Sequence, residues 1–231
     1  MKPSWHLNMP RELTMTSCFD LVSKYAESFR EILAKDATEL GVAQYTWRNN
    51  VWAGTSYRRS HVQEFTNPAI AVLHVTVFPN LNDPSPIYGF DVITGQNRPS
   101  GCYIDLSPTV EAWEGWSEWG SMDYQFKNKR KIPDWGTCFS NEFVAITMDD
   151  EIELERALVC GINLLNSYLN RLQINQTLKH VWDEEAVYQK QESYCVQQRK
   201  NDKTLNVLSR MIGESAAKNY MDNILFPNPR H

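Results

Sequence analysis

Ile70-Ala-Val-Leu-His-Val-Thr-Val-Phe-Pro79, then Ile87-Tyr-Gly-Phe-Asp-Val-Ile-Thr-Gly95 and Cys102-Tyr-Ile-Asp-Leu106, form the centre of the chain. All three runs are β-branched and aromatic-rich, and Asn/Asp/Pro and Gly-Gln-Asn-Arg-Pro turn signals separate them, which predicts three strands. Successive side chains of a strand point to opposite faces. The first run therefore puts Ala71, Leu73, Val75 and Val77 on one face and Val72, His74, Thr76 and Phe78 on the other. In the second run Tyr88, Phe90 and Val92 share a face, and Gly89, Asp91 and Ile93 share the other. If the two strands are neighbours, His74 and Asp91 project together from the less apolar face. A glycine next to that carboxylate leaves room for a flat ligand to approach the backbone.

Outward from this centre, Val22, Tyr25, Ala26, Phe29, Ile32 and Leu33 recur at helical spacing and predict a helix over about 18–34. Tyr45–Ala53 and Tyr57–Phe65 read as further strands, and short turns predict a largely antiparallel sheet. Cys138–Met148 reads as one more strand. Leu154, Leu158, Ile162, Leu165, Leu169 and Leu172 predict a long helix with acidic residues in its first turn. A polar helix follows over about 182–200. A last helix begins near Gly213, with Ala217, Tyr220, Met221, Ile224 and Leu225 facing inward. Helices before and after a central sheet predict a three-layer α/β/α sandwich. With no repeat or linker, residues 1–231 read as one domain, with 1–15 as a flexible arm. The Trp113, Trp116 and Trp119 stripe reads as core packing.

The chain has 231 residues, 42% hydrophobic and 22% charged, with a net charge of −5. That balance argues against general nucleic-acid binding. No apolar run has the length of a membrane span, and the first residues lack a signal-peptide pattern. Cys18, Cys102, Cys138, Cys160 and Cys195 lack CxxC spacing and read as buried, reduced thiols of a cytoplasmic protein. Neither a dinucleotide fingerprint, a P-loop nor a nucleophile elbow is present, and the five histidines show no metal-ligand spacing. What remains is a proton-handling set: His74 and Asp91, with His61 and Gln63 on the preceding strand. Residue types alone leave open whether this set is catalytic or an ordinary structural hydrogen bond, and whether Asn201-Asp-Lys-Thr204 is more than a helix cap.

Leu73-His-Val-Thr-Val-Phe-Pro79, Tyr88-Gly-Phe-Asp-Val92, Ser100 and Ile104-Asp-Leu-Ser-Pro108 resemble the ferredoxin-dependent bilin reductases, and so do Asn201-Asp-Lys-Thr204, Gly213 and Tyr220-Met-Asp-Asn-Ile-Leu-Phe226. The phycocyanobilin:ferredoxin oxidoreductase branch is the most similar. The resemblance implies an antiparallel sheet between helical layers, with biliverdin IXα held between the sheet and the C-terminal helices. It implies no bound cofactor or metal, and single electrons from a reduced [2Fe-2S] ferredoxin. By the same resemblance Asp91 protonates the bilin with His74 as partner, His61 joins the proton network, and Asp202, beside Asn201, faces the pyrrole rings. Ser100, Arg130 and Lys203 resemble groups near the propionates. Gln63 stands where the phycocyanobilin-forming enzymes have a glutamate that supplies a proton to the D-ring vinyl group, and an amide cannot be that acid. The chain thus resembles the phage-encoded members that make phycoerythrobilin through 15,16-dihydrobiliverdin. Phycocyanobilin formation with Glu64 as the acid, and a non-catalytic bilin carrier, are the alternatives. A monomer is expected. An acidic ferredoxin would need a basic patch, for which Arg58, Arg59, Lys127, Lys129, Lys131, Arg199 and Lys200 are the candidates.

Overall fold

A computed structural model describes residues 17–41, 45–109, 126–131, 136–177 and 182–230. The expected N-terminal arm and the Trp113, Trp116 and Trp119 stripe lie outside the described residues. Helix α1 spans Cys18–Ala34 and opens with a reciprocal cap, in which Ser17 takes the Asp20 backbone N–H and the Asp20 carboxylate takes that of Ser17. Strands β1 (Ala37–Leu40), β2 (Arg48–Gly54), β3 (Tyr57–Thr66), β4 (Ala71–Pro79), β5 (Ile87–Thr94) and β6 (Pro99–Ser107) follow in order. Then come β7 (Asn128–Lys129), β8 (Val144–Thr147), α2 (Glu151–Thr177), α3 (Glu184–Gln198), α4 (Asp202–Ile212) and α5 (Glu214–Tyr220). A π-helical turn, Met221–Leu225, continues from α5.

The strands pair antiparallel in one sheet, in the order β1-β2-β3-β4-β5-β6-β8-β7. Neighbours in sequence are neighbours in space as far as β6, which short turns favour. The stretch read as a strand from Cys138 to Met148 is a strand only over Val144–Thr147. Its first half is bent into turns, and the buried Asp105 carboxylate takes hydrogen bonds from the Ser140 backbone N–H (3.1 Å) and the Ser140 hydroxyl (2.5 Å). Tight turns close Phe139 N–H onto Gly136 O and Phe143 N–H onto Ser140 O in the same segment.

Helices α1 and α2 cover the face that carries Leu73, Val75, Val77, Phe90, Val92 and Ile104, all 0% exposed. Phe29 packs on Phe90 with ring centroids 5.1 Å apart. α2 comes close enough at Gly161 that a Cβ there would lie 2.4 Å from the Phe90 ring. The opposite face meets α3, α4, α5 and the π turn through Phe65, Phe78, Tyr194, Leu208, Tyr220 and Phe226. The predicted three layers are therefore present, with the two faces divided as the alternation implies. α4 and α5 meet at Gly213, whose φ of 83° is a left-handed conformation that a glycine adopts without a steric penalty. All five cysteines are free thiols. Among the described residues, no helix is long and apolar enough to cross a membrane.

Candidate active site

The register of five strands, β2 to β6, sets Asn49, Gln63, His74, Asp91 and Tyr103 in one row across the sheet, on the face turned toward α3–α5. His74 and Asp91 lie directly opposite one another, with His74 Nδ1 2.6 Å from Asp91 Oδ1. The carboxylate accepts from Nδ1–H, so a neutral His74 carries its proton on Nδ1 and leaves Nε2 bare. Nε2 is buried and has no hydrogen-bond partner among the described residues. Asp91 keeps 39% of its side chain exposed, whereas His74 keeps 9%. The pair thus has a sealed base and an open acid, the arrangement that lets a carboxyl hand over a proton and be recharged through its neighbour.

His61 is fully buried, with its ring 5.8 Å from that of His74. Burial first, then the charges of His74 and Arg59, hold its pKa well below the usual imidazole range, so it is neutral near pH 7. Its Nε2 is hydrogen-bonded to Asn49 Oδ1, and its Nδ1 has no partner among the described residues. Gln63 Oε1 accepts the Tyr220 hydroxyl at 2.9 Å.

One row further along the same face, Val72 pairs with Ile93 and Ile93 with Gly101. Ile93 is exposed, and Val72 and Ile70 are half-buried. This partly open apolar strip borders the acid–base pair. Arg130 lies across its far end: Nε donates to Thr147 Oγ1 (2.7 Å), Nη1 to Tyr103 OH (2.9 Å) and Nη2 to the Ser100 carbonyl (2.9 Å). Every one of these partners is neutral, so a guanidinium is held in place with its charge uncompensated by any described carboxylate, a setting that suits a ligand carboxylate. Ser100 itself contributes its carbonyl here rather than its hydroxyl.

The C-terminal side is placed differently. Asn201 caps α4, its side chain accepting Thr204 N–H at 3.3 Å, so the helix-cap reading of this residue holds. Asp202 and Lys203 start the same helix as exposed residues. Among the described residues, no hydrogen bond joins Asp202 to His74 or Asp91. The π turn sets Phe226 edge-on against the His74 ring at 5.8 Å, closing that side of the imidazole.

Two expectations need correction. The space over Gly89 holds the Tyr194 hydroxyl, 3.5 Å from where a Cβ on Gly89 would sit, so that glycine does not open the floor to a ligand. Three cations proposed for a basic surface patch are half-buried and tied to partners within the chain. Arg58 reaches Gln191 (2.7 Å), Arg59 reaches the Ile224 carbonyl (2.9 Å), and Arg199 reaches the Phe226 carbonyl (2.9 Å). Burial lowers the pKa of both Arg58 and Arg59 to about 10. Lys127, Lys129, Lys131 and Lys200 remain exposed. Glu64 turns to the α1 face, where it pairs with Arg30 at 2.8 Å and accepts Ser23 Oγ–H at 2.6 Å.

Asn49, Tyr103, Tyr194, Asp105 and Tyr220 were not singled out from sequence. Tyr220 and Asp105 fell inside motifs already quoted, but nothing local marks their partners.

The chain is thus a three-layer α/β/α protein with an acid–base pair on the half-open face of its sheet. The family model of the ferredoxin-dependent bilin reductases matches residues 21–227, and the chain belongs to that family of oxidoreductases. Phycocyanobilin:ferredoxin oxidoreductase of Prochlorococcus marinus is 30% identical over 196 residues, covering 79% of this chain and 76% of that protein. The enzyme of the same name from Trichodesmium erythraeum is 28% identical over 192 residues, with 79% and 76% covered. A solved structure of PcyX superposes with a TM-score of 0.64 at 22% identity, covering 89% of this chain and 98% of that one. Phytochromobilin synthase from tomato, in complex with biliverdin, superposes with a TM-score of 0.61 at 16% identity, covering 91% and 83%. At these identities the two structures speak for the fold.

Proposed function

We propose that the chain reduces biliverdin IXα to phycoerythrobilin by way of 15,16-dihydrobiliverdin, taking four electrons singly from reduced [2Fe-2S] ferredoxin and four protons through its own side chains. It acts in this reading as a cytoplasmic, single-domain monomer. The bilin lies on the open sheet face under α3–α5, its apolar rings on the Ile70, Val72 and Ile93 strip. Asp91 delivers protons and is recharged through His74, with His61 behind it. Arg130 and Lys203 hold the propionates, with Ser100 placing Arg130 through its carbonyl. Asp202, next to the capping Asn201, serves a second ring.

The observation that carries the product assignment is the identity and surroundings of the residue beside His74. Gln63 has no proton to give near neutral pH, and the neighbouring acid Glu64 is bound to Arg30 on the opposite face. Among the described residues that part of the row holds no carboxyl beside Gln63 to protonate the D-ring vinyl group, so reduction starts at the 15,16 bridge next to Asp91. The names of the two curated relatives favour phycocyanobilin instead, and a carrier would hold bilin without turnover.

An absorbance time course with biliverdin IXα and reduced ferredoxin separates the three. A two-stage change through a 15,16-dihydrobiliverdin-like species is expected. A spectrum that stays at bound biliverdin would leave the carrier, and a single route to phycocyanobilin would leave the relatives' product.

A further inference from the structure

Beside the row of site residues lies a polar cluster in which Trp47, Asn49 and Tyr220 have no part in the reading above. Trp47 Nε1 is 3.2 Å from the Tyr220 hydroxyl oxygen, which in turn lies 2.9 Å from Gln63 Oε1 and 3.0 Å from Asn49 Oδ1. Asn49 Oδ1 also faces His61 Nε2. Tyr220 is completely buried, its ring meeting Tyr45 edge-on at 4.6 Å and Trp47 at 5.3 Å, so the hydroxyl has little freedom.

With both amides oriented as the structure places them, the donors and acceptors can be assigned. An indole N–H only donates, so Tyr220 accepts from Trp47 and has a single proton of its own to give. Two amide oxygens compete for it. Asn49 Oδ1 is already supplied by His61 Nε2–H, whereas Gln63 Oε1 has no other donor among the described residues. The Tyr220 proton therefore goes to Gln63. With its oxygen tied back into the protein, the Gln63 amide has its NH2 end left for the space over the sheet.

We infer that Tyr220, braced by Trp47, is a positioning residue that orients the Gln63 side-chain amide as a hydrogen-bond donor toward the ligand. This inference rests on the proposed bilin site and deepens it. The ligand edge at Gln63 is an acceptor, a carbonyl such as the lactam oxygen of a terminal bilin ring. Gln63 in this role is more than the loss of an acid: it selects which ring edge sits beside His74.

The test has two arms. In the ligand-free protein, Tyr220→Phe removes the donor to Gln63, and the Gln63 side-chain carbonyl ¹³C resonance should move; Trp47→Phe should move it in the same direction by a smaller amount. An unchanged resonance in folded Tyr220→Phe protein overturns the inference. In the second arm biliverdin IXα affinity is measured by absorbance titration. Tyr220→Phe and Gln63→Leu are each expected to weaken it by roughly five-fold, the worth of one hydrogen bond, and the double variant by no more than the stronger single one. Multiplying effects would overturn the inference, because the two residues would then act separately. If wild-type protein takes up no biliverdin, the proposed substrate falls, and the resonance arm still decides the orientation of Gln63.

Discussion

The two faces of the central sheet are built from the same strands and put to opposite uses. Toward α1 and α2 the alternation delivers mostly apolar side chains, packed so closely that Gly161 has no room for a methyl group. Toward α3–α5 the same strands deliver His61, Gln63, His74, Asp91 and Tyr103, beside an apolar strip that the helices leave half uncovered. Folding free energy is concentrated on the first face, since sealed apolar area is what removes the most surface from water. The second face keeps polar groups at a cost and gains chemistry. Where the first face does hold charge, in Glu64 with Arg30, the pair is closed on itself; where the second holds it, in Asp91 and Arg130, one side is left open.

The largest effect should come from the open face. Asp91→Asn keeps the shape and the hydrogen bond to His74 but has no proton to pass. Turnover is expected to drop on the order of a hundredfold or more. The bound-biliverdin spectrum and the thermal midpoint should stay near wild type. Single-turnover absorbance with reduced ferredoxin measures this, and near-normal rates would mean that the open acid is not the proton donor.

The next effect concerns a carboxyl on that face that is sealed. Burial raises the Asp105 pKa to about 6 from an ordinary 3.8, with Ser107 and Ser140 opposing the rise. A raised folded pKa contributes stability that is whole below the unfolded value and is lost as pH rises through the folded one. Asp105→Asn removes this dependence. Its stability relative to wild type should therefore climb by up to ~3 kcal/mol between the two pKa values, on top of a constant offset for altered bonds to Ser140. His61 works in the other direction: its lowered pKa costs stability below the usual imidazole value, in both proteins alike. Denaturant titrations at a series of pH values provide the comparison, and a pH-independent difference would contradict the burial argument.

A smaller change is expected from the closed face. Gly161→Ala pushes a methyl group into the Phe90 ring and should destabilise the fold by about 1–3 kcal/mol. Because Phe90 and Asp91 point to opposite faces, the product and its proton chemistry should not change. A product shift in this variant would show that the two faces are coupled.

How much of this was legible before the structure depends on how local each signal is. Period-two alternation in β4 and β5 separates the faces and puts His74 and Asp91 on one face if the strands are neighbours, because strand alternation is a property of the backbone; that they lie directly opposite is set by the register. The bounds of α1 were readable for a similar reason, from apolar spacing. β1 and β7 were not: both are short, mostly exposed edge strands that bury no alternating side chains. Arg58 and Arg59 look like surface cations in sequence, yet their partners are Gln191 and the Ile224 carbonyl, far along the chain. The Trp47–Tyr220 contact joins residues 173 positions apart, and nothing near either one announces it. Gly89 misled for the same reason, since Tyr194 fills its space from a helix that periodicity could place only by type and not by contact.

The central claim is that the open face protonates a bilin from Asp91 outward and lacks an acid beside the D-ring vinyl group. Chromatography of the pigment formed from biliverdin IXα and reduced ferredoxin tests it most directly, run on wild type and on Gln63→Glu. Wild type is expected to yield phycoerythrobilin with the D-ring vinyl intact, and the Glu variant at least some D-ring-reduced product, because burial favours the protonated form of a carboxyl. Phycocyanobilin as the main wild-type product would contradict the account.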